Sequence, residues 1–117
     1  MNGFDIFRIN CWLEDIKDNN YEESIKIIIY EYLLSKDNEE QLRNEIYDFI
    51  RNTLGIRINY ERFVKIIDKE NANDLLLESI DDDILIKLSD KALHTYKERT
   101  NKYSIYKYTE LKVNFWL

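Results

Sequence analysis

The chain has 117 residues, 44% of them hydrophobic, a formal charge of −6, one cysteine, two glycines and no proline. That suffices for one globular domain over 1–117 with its own core, while a lone Cys11 excludes an internal disulfide framework. Gly3 and Gly55 cannot spell a P-loop or a dinucleotide fingerprint; with neither an apolar membrane-span stretch nor a charged-then-apolar leader, a cytoplasmic protein with no membrane segment is expected.

Residues 4–17 place Ile6, Ile9, Leu13 and Ile16 on a helical stripe with Asp5 as cap, although Phe4 to Ile9 also alternate as short strands. Asp18 to Asn20 form a link. The stretch that organises the chain follows. Asn20 stands at an N-cap position with Glu23 three residues on. Ile25, Ile28, Ile29, Tyr32 and Leu33 then share one face of a 3.6-residue period, and Ile27, Tyr30 and Leu34 form a second. A helix apolar around most of its circumference must be covered on several sides, so a central helix over 22–34 is predicted. The competing reading is a buried strand, because Ile27 to Ile29 are β-branched.

Asn38 and Gln41 repeat the capping spacing ahead of a helix over 39–54. Its stripe is Leu42, Ile46, Phe49, Ile50 and Leu54, and Gly55 supplies the left-handed stop. Ile56 to Ile58 read as a brief extended piece. Asn59 caps a short helix with Tyr60, Phe63, Val64 and Ile67 inside. Asn71 or Asn73 opens another through Leu75, Leu76 and Ile80. Asp81, Asp82 and Asp83 start a last, longer helix reaching about Arg99, with Leu85, Leu88, Ala92, Leu93 and Tyr96 on its apolar side. In the tail, Leu111, Val113, Phe115 and Leu117 alternate with polar residues as in a half-buried strand, which would need a partner at 4–9 or 56–60. The expected fold is therefore mainly α: a single-domain bundle of five to six helices around the helix at 22–34, with that short C-terminal strand as an addition. The scarcity of glycine points the same way, since tight turns favour it.

Charge is unevenly spread. Residues 14–48 carry −7, 51–86 carry −3 and 87–112 carry +4. The acidic half, with Glu22, Glu23, Glu39, Glu40, Glu45 and Asp48, suits a basic cleft such as nucleic-acid enzymes present to phosphates. In the basic end, Lys97, Arg99, Lys102 and Lys107 interleave with Tyr103, Tyr106 and Tyr108, a pattern that suits single-stranded nucleic acid but is read in preference as a sheet edge guarded by its lysines.

Catalytic signals are weak. His94 is the only histidine and has no local nucleophile or orienting acid. Cys11 with one histidine falls short of a structural zinc site, and three consecutive aspartates lack the alternation and glycine of a calcium loop. No cofactor and no metal are expected. The function expected is that of a non-enzymatic protein-binding inhibitor or neutraliser, of the immunity, antitoxin or phage anti-defence type. The alternatives are a small nucleic-acid-binding module or a helical adaptor, monomeric or homodimeric. Abundant Ile, Asn and Lys beside only two alanines suggest an AT-rich bacterial or phage genome, which GC-rich coding DNA would refute.

Overall fold

The computed structural model describes residues 21–101, and for 96–101 the backbone alone. The expected helix bundle is corrected. In chain order the elements are α1 (Tyr21–Ser35), β1 (Gln41–Leu42), α2 (Arg43–Asp48) running on into a π-helical turn (Phe49–Thr53), α3 (Tyr60–Lys69), β2 (Leu75–Ile80), β3 (Asp83–Leu88) and α4 (Asp90–Asn101). The three strands form one antiparallel sheet in the order β1-β3-β2, so this is a small α/β domain.

The central helix is present. Ile25, Ile27, Ile28, Ile29, Tyr30, Tyr32 and Leu33 of α1 are all buried, along with Glu31. Such a run covers every side of a helix, and each large apolar side chain removed from water contributes about 1.5–3 kcal/mol. Asp37 and Asn38 both adopt φ 56°, and the amide of Asn38 donates to the carbonyl of Leu33 at 2.9 Å, turning the chain sharply out of α1. Short polar side chains tolerate this left-handed backbone better than most.

Asn38 does not cap a helix. Its carboxamide bonds Leu88 on both sides: Nδ2 donates to the carbonyl at 3.1 Å and Oδ1 accepts from the amide at 2.8 Å. The side chain thus adds a rung to the β1–β3 ladder, in which Gln41 opposes Ile86 and Leu42 opposes Leu85. Only then does α2 begin. Gly55, at φ 73°, ends the helical stretch as its position predicted.

Asn59 caps α3 as expected, accepting from the amides of Glu61 and Arg62 at 2.8 and 3.2 Å. The buried face differs in phase: Phe63, Ile66 and Ile67 point inward, whereas Tyr60 is exposed and Val64 half-buried. Ile58 is buried, but 56–59 form no strand. The pairing expected between 56–60 and the tail has no described counterpart; 4–9 and 102–117 lie outside the described residues.

The helices expected around Leu75 to Ile80 and from Asp81 are replaced by a hairpin. Leu75 pairs with Leu88 and Ile80 with Asp83, leaving Asp81 and Asp82 as a two-residue turn. Asp81 sits at φ 49°, so an aspartate makes the turn for which glycine is usually chosen. The last helix starts only at Asp90, behind Ser89, whose hydroxyl accepts from the amide of Ala92 at 3.2 Å.

Ala72, between α3 and β2, is also left-handed, at φ 62°, and has no side-chain hydrogen bonding to offset it. Relief of that backbone should outweigh the extra freedom glycine gives the unfolded chain. Ala72→Gly is expected to raise unfolding free energy by about 0.5 kcal/mol, read from urea midpoints. A loss of stability would mean that the strain lies elsewhere.

Candidate protein-binding surface

The six acidic residues singled out in the sequence differ in their surroundings. Glu22 and Glu23 stand at the start of α1 and are engaged in the body of the protein. Lys69 of α3 reaches Glu22 at 3.1 Å, and Lys26 lies 3.4 Å from Glu23 and 3.1 Å from Glu70. Burial works against the Lys26 ammonium, but the hydrogen bond to Glu70 and the charges of Glu23 and Glu70 outweigh it, leaving its pKa above the ordinary 10.5. These pairs tie the beginning of α1 to the end of α3.

Glu39, Glu40, Glu45 and Asp48 are exposed. Burial, with help from the charge of Glu45, holds the Tyr32 phenol above its ordinary value of 10.0, so it stays neutral at neutral pH.

Sheet register assembles a different surface. Side chains alternate across a strand. Leu75, Ile86 and Leu88 are buried, and Leu77 and Ile84 pack against the same core, which defines the inner face. The opposite face therefore carries Leu76 beside Lys87, Glu78 beside Leu85, Ile80 beside Asp83, and Leu42 on the other flank of Leu85. Leu42, Leu76, Ile80 and Leu85 thus meet as a diagonal cluster centred on Leu85, and none of them belongs to the core. Leu76 and Ile80 are each 43% exposed, unusually open for large apolar side chains in a sheet. Glu78, Asp81 and Asp82 are exposed around one end of this cluster, and Glu39 and Glu40 lead into β1 at the other. The result is an apolar patch with a largely acidic rim, broken by Lys87.

Of the basic end, Lys97 and Arg99 lie on α4, and Lys102, Tyr103, Tyr106, Lys107 and Tyr108 are outside the described residues. Cys11 is also outside them, and His94 is exposed on α4. Among the described residues no group of three His, Cys, Asp or Glu side chains is arranged to hold a metal ion, and no helix is long and apolar enough to cross a membrane. No protein-family model, curated protein or solved structure matches the chain. The sheet patch had a signal in the sequence: Leu76, Glu78, Ile80 and Asp83, Leu85, Lys87 alternate symmetrically about Asp81 and Asp82.

Proposed function

We propose that this protein is a non-enzymatic binding module that inhibits or neutralises a macromolecule by laying the outer face of its sheet on a basic surface. The observation that carries the reading is the apolar cluster around Leu85, left outside the core and bordered by Glu40, Glu78, Asp81 and Asp82. A desolvated apolar centre with a charged rim is how protein interfaces divide their work. The centre supplies affinity, while the rim steers encounter and selects partners of opposite sign. Enzymes acting on nucleic acids carry such basic surfaces because they must bind phosphates, and they define the class of target. The site of action implied is the cytoplasm.

The test compares capture by the immobilised protein with capture by a variant combining Glu40→Lys, Glu78→Lys and Asp82→Lys. These three exposed side chains have no described hydrogen bond or ion pair, so melting temperature should hold. The wild type is expected to retain a basic protein from the source cell and release it as salt rises from about 0.05 to about 0.5 M. The variant should retain less than about a tenth as much. Equal retention by both, or binding indifferent to salt, would remove the acidic rim from the explanation.

A further inference from the structure

In the sheet order β1-β3-β2, β2 lies at an edge. The hairpin closes on Ile80 and Asp83 across a two-residue turn, so these two exchange backbone hydrogen bonds, as do Glu78 with Leu85 and Leu76 with Lys87. Leu75, Leu77 and Ser79 therefore turn their N–H and C=O groups away from β3. Leu75 confirms the phase: its amide donates to the carbonyl of Glu70 at 3.0 Å, and its carbonyl accepts from the amide of Ala72 at 2.9 Å. Leu88, its partner in the hairpin, likewise turns outward, to Asn38. Leu77 and Ser79 have no such backbone partner among the described residues. Sheet edges are commonly blunted by lysine, proline, a bulge or brevity. β2 has six residues, pairs with β3 without a bulge, and contains neither lysine nor proline. Leu76, Glu78, Ser79 and Ile80 are all exposed along it.

The geometry points to this edge as the docking site for an extended, basic segment of a partner protein, which adds an antiparallel strand beside β2. Main-chain bonds to Leu77 and Ser79 hold such a segment, and its side chains decide which segment fits. Opposite Glu78 a lysine or arginine is favoured, and opposite Leu76 and Ile80 an apolar residue. A second copy of the chain fits poorly. The two-fold register that pairs Leu77 of each copy with Ser79 of the other satisfies both residues, but it sets Glu78 directly against Glu78. Like charges so placed are destabilising. Centring the pair on Leu77 sets Ser79 against Leu75, whose backbone groups are already bonded, and centring it on Ser79 sets Leu77 against the turn residue Asp81. The inference rests on the sheet being the binding surface and names how a partner chain meets it.

The test follows amide hydrogen exchange of the full chain, residue by residue, in nitrogen–proton correlation spectra. In the free protein the Leu77 and Ser79 amides should exchange at least about tenfold faster than those of Leu76, Glu78 and Ile80. The probe is the acetylated, amidated pentapeptide Val-Thr-Lys-Thr-Val, whose lysine can face Glu78 and whose valines can face Leu76 and Ile80. At about 5 mM it is expected to slow both edge amides at least about fivefold. Glutamate in place of its lysine, or methylation of the two threonine backbone nitrogens, should abolish the slowing. Ser79→Pro removes an outward N–H that β3 does not use, so melting temperature should hold within a few degrees while slowing at Leu77 falls at least about fivefold. Exchange unchanged by the peptide, equal slowing by either altered peptide, or undiminished slowing at Leu77 in Ser79→Pro would overturn the proposal. So would edge amides that are already slow in the free chain and slower as protein concentration rises, which would seat a second copy there. Unprotected amides together with lost capture by the charge-reversed variant would remove the edge alone and leave the sheet face as the binding surface.

Discussion

Asn38→Ala is expected to lower the unfolding free energy by about 3 kcal/mol, measured by urea denaturation at neutral pH. The side chain satisfies both the amide and the carbonyl of Leu88, a residue only 1% exposed. Without the carboxamide, two backbone groups at the C-terminal end of the central strand are left without partners where water reaches them poorly. Alanine would also have to hold φ near 56°, which adds about 1 kcal/mol. Asn38→Gly separates the two effects, because glycine accepts that backbone yet supplies no amide group. It should be less damaging than alanine by about 1 kcal/mol. A cost below about 1 kcal/mol for the alanine variant would show that the Asn38–Leu88 rung does not hold the sheet.

Phe63→Ala should cost about 4 kcal/mol, which in a domain whose total stability is about 5–15 kcal/mol leaves little folded margin. Phe63 is fully buried and contacts the Tyr47 ring edge-on at a centroid distance of 5.2 Å. Tyr47 in turn donates its hydroxyl to the carbonyl of Ile58 at 2.8 Å. Truncation therefore opens a cavity and loosens the support of the loop between the π-helical turn and α3. Thermal melts should show the loss, and near-ultraviolet circular dichroism should lose tyrosine signal. Phe63→Leu, which fills most of the space, should retain more than half of the lost stability. Equal damage from both variants would indicate that ring contacts, rather than volume, dominate at this position.

Short-range chemistry was readable from residue order, and long-range pairing was not. The apolar run of α1, the Asn59 cap and the stop at Gly55 each depend on neighbours within a few residues, and each appears where its spacing put it. The hairpin escaped because Leu75, Leu76 and Leu77 place apolar groups on both sides of the strand, as do Ile84, Leu85 and Ile86. Alternation is blurred when both faces are apolar, and leucine is a strong helix former. The lack of glycine also argued against a tight turn that Asp81 makes instead. Asn38 had the spacing of a cap but serves the ladder, a choice made by Leu88, fifty residues away. The acidic surface was only partly legible. Glu39, Glu40, Glu45 and Asp48 are exposed, but Glu22 and Glu23 are drawn into contacts with Lys69 and Lys26. Linear charge counting puts Lys69 in a different block from Glu22 and so has no way to register that pairing.

The π-helical turn at Phe49–Thr53 gives this small domain a spare residue. Leu54 donates back to Phe49 and Ile56 to Ile50, both at about 3 Å, so this part of the coil is wound wider than an ordinary helix. One residue amounts to about 100° of rotation around a helix axis. Shortening the coil by one position would turn everything downstream by that angle, carrying Ile58 away from its seat and Asn59 out of line with the helix it begins. Length at this bend is thus constrained far more tightly than residue identity, and insertions or deletions that surface loops elsewhere absorb would here misalign the two halves of the core.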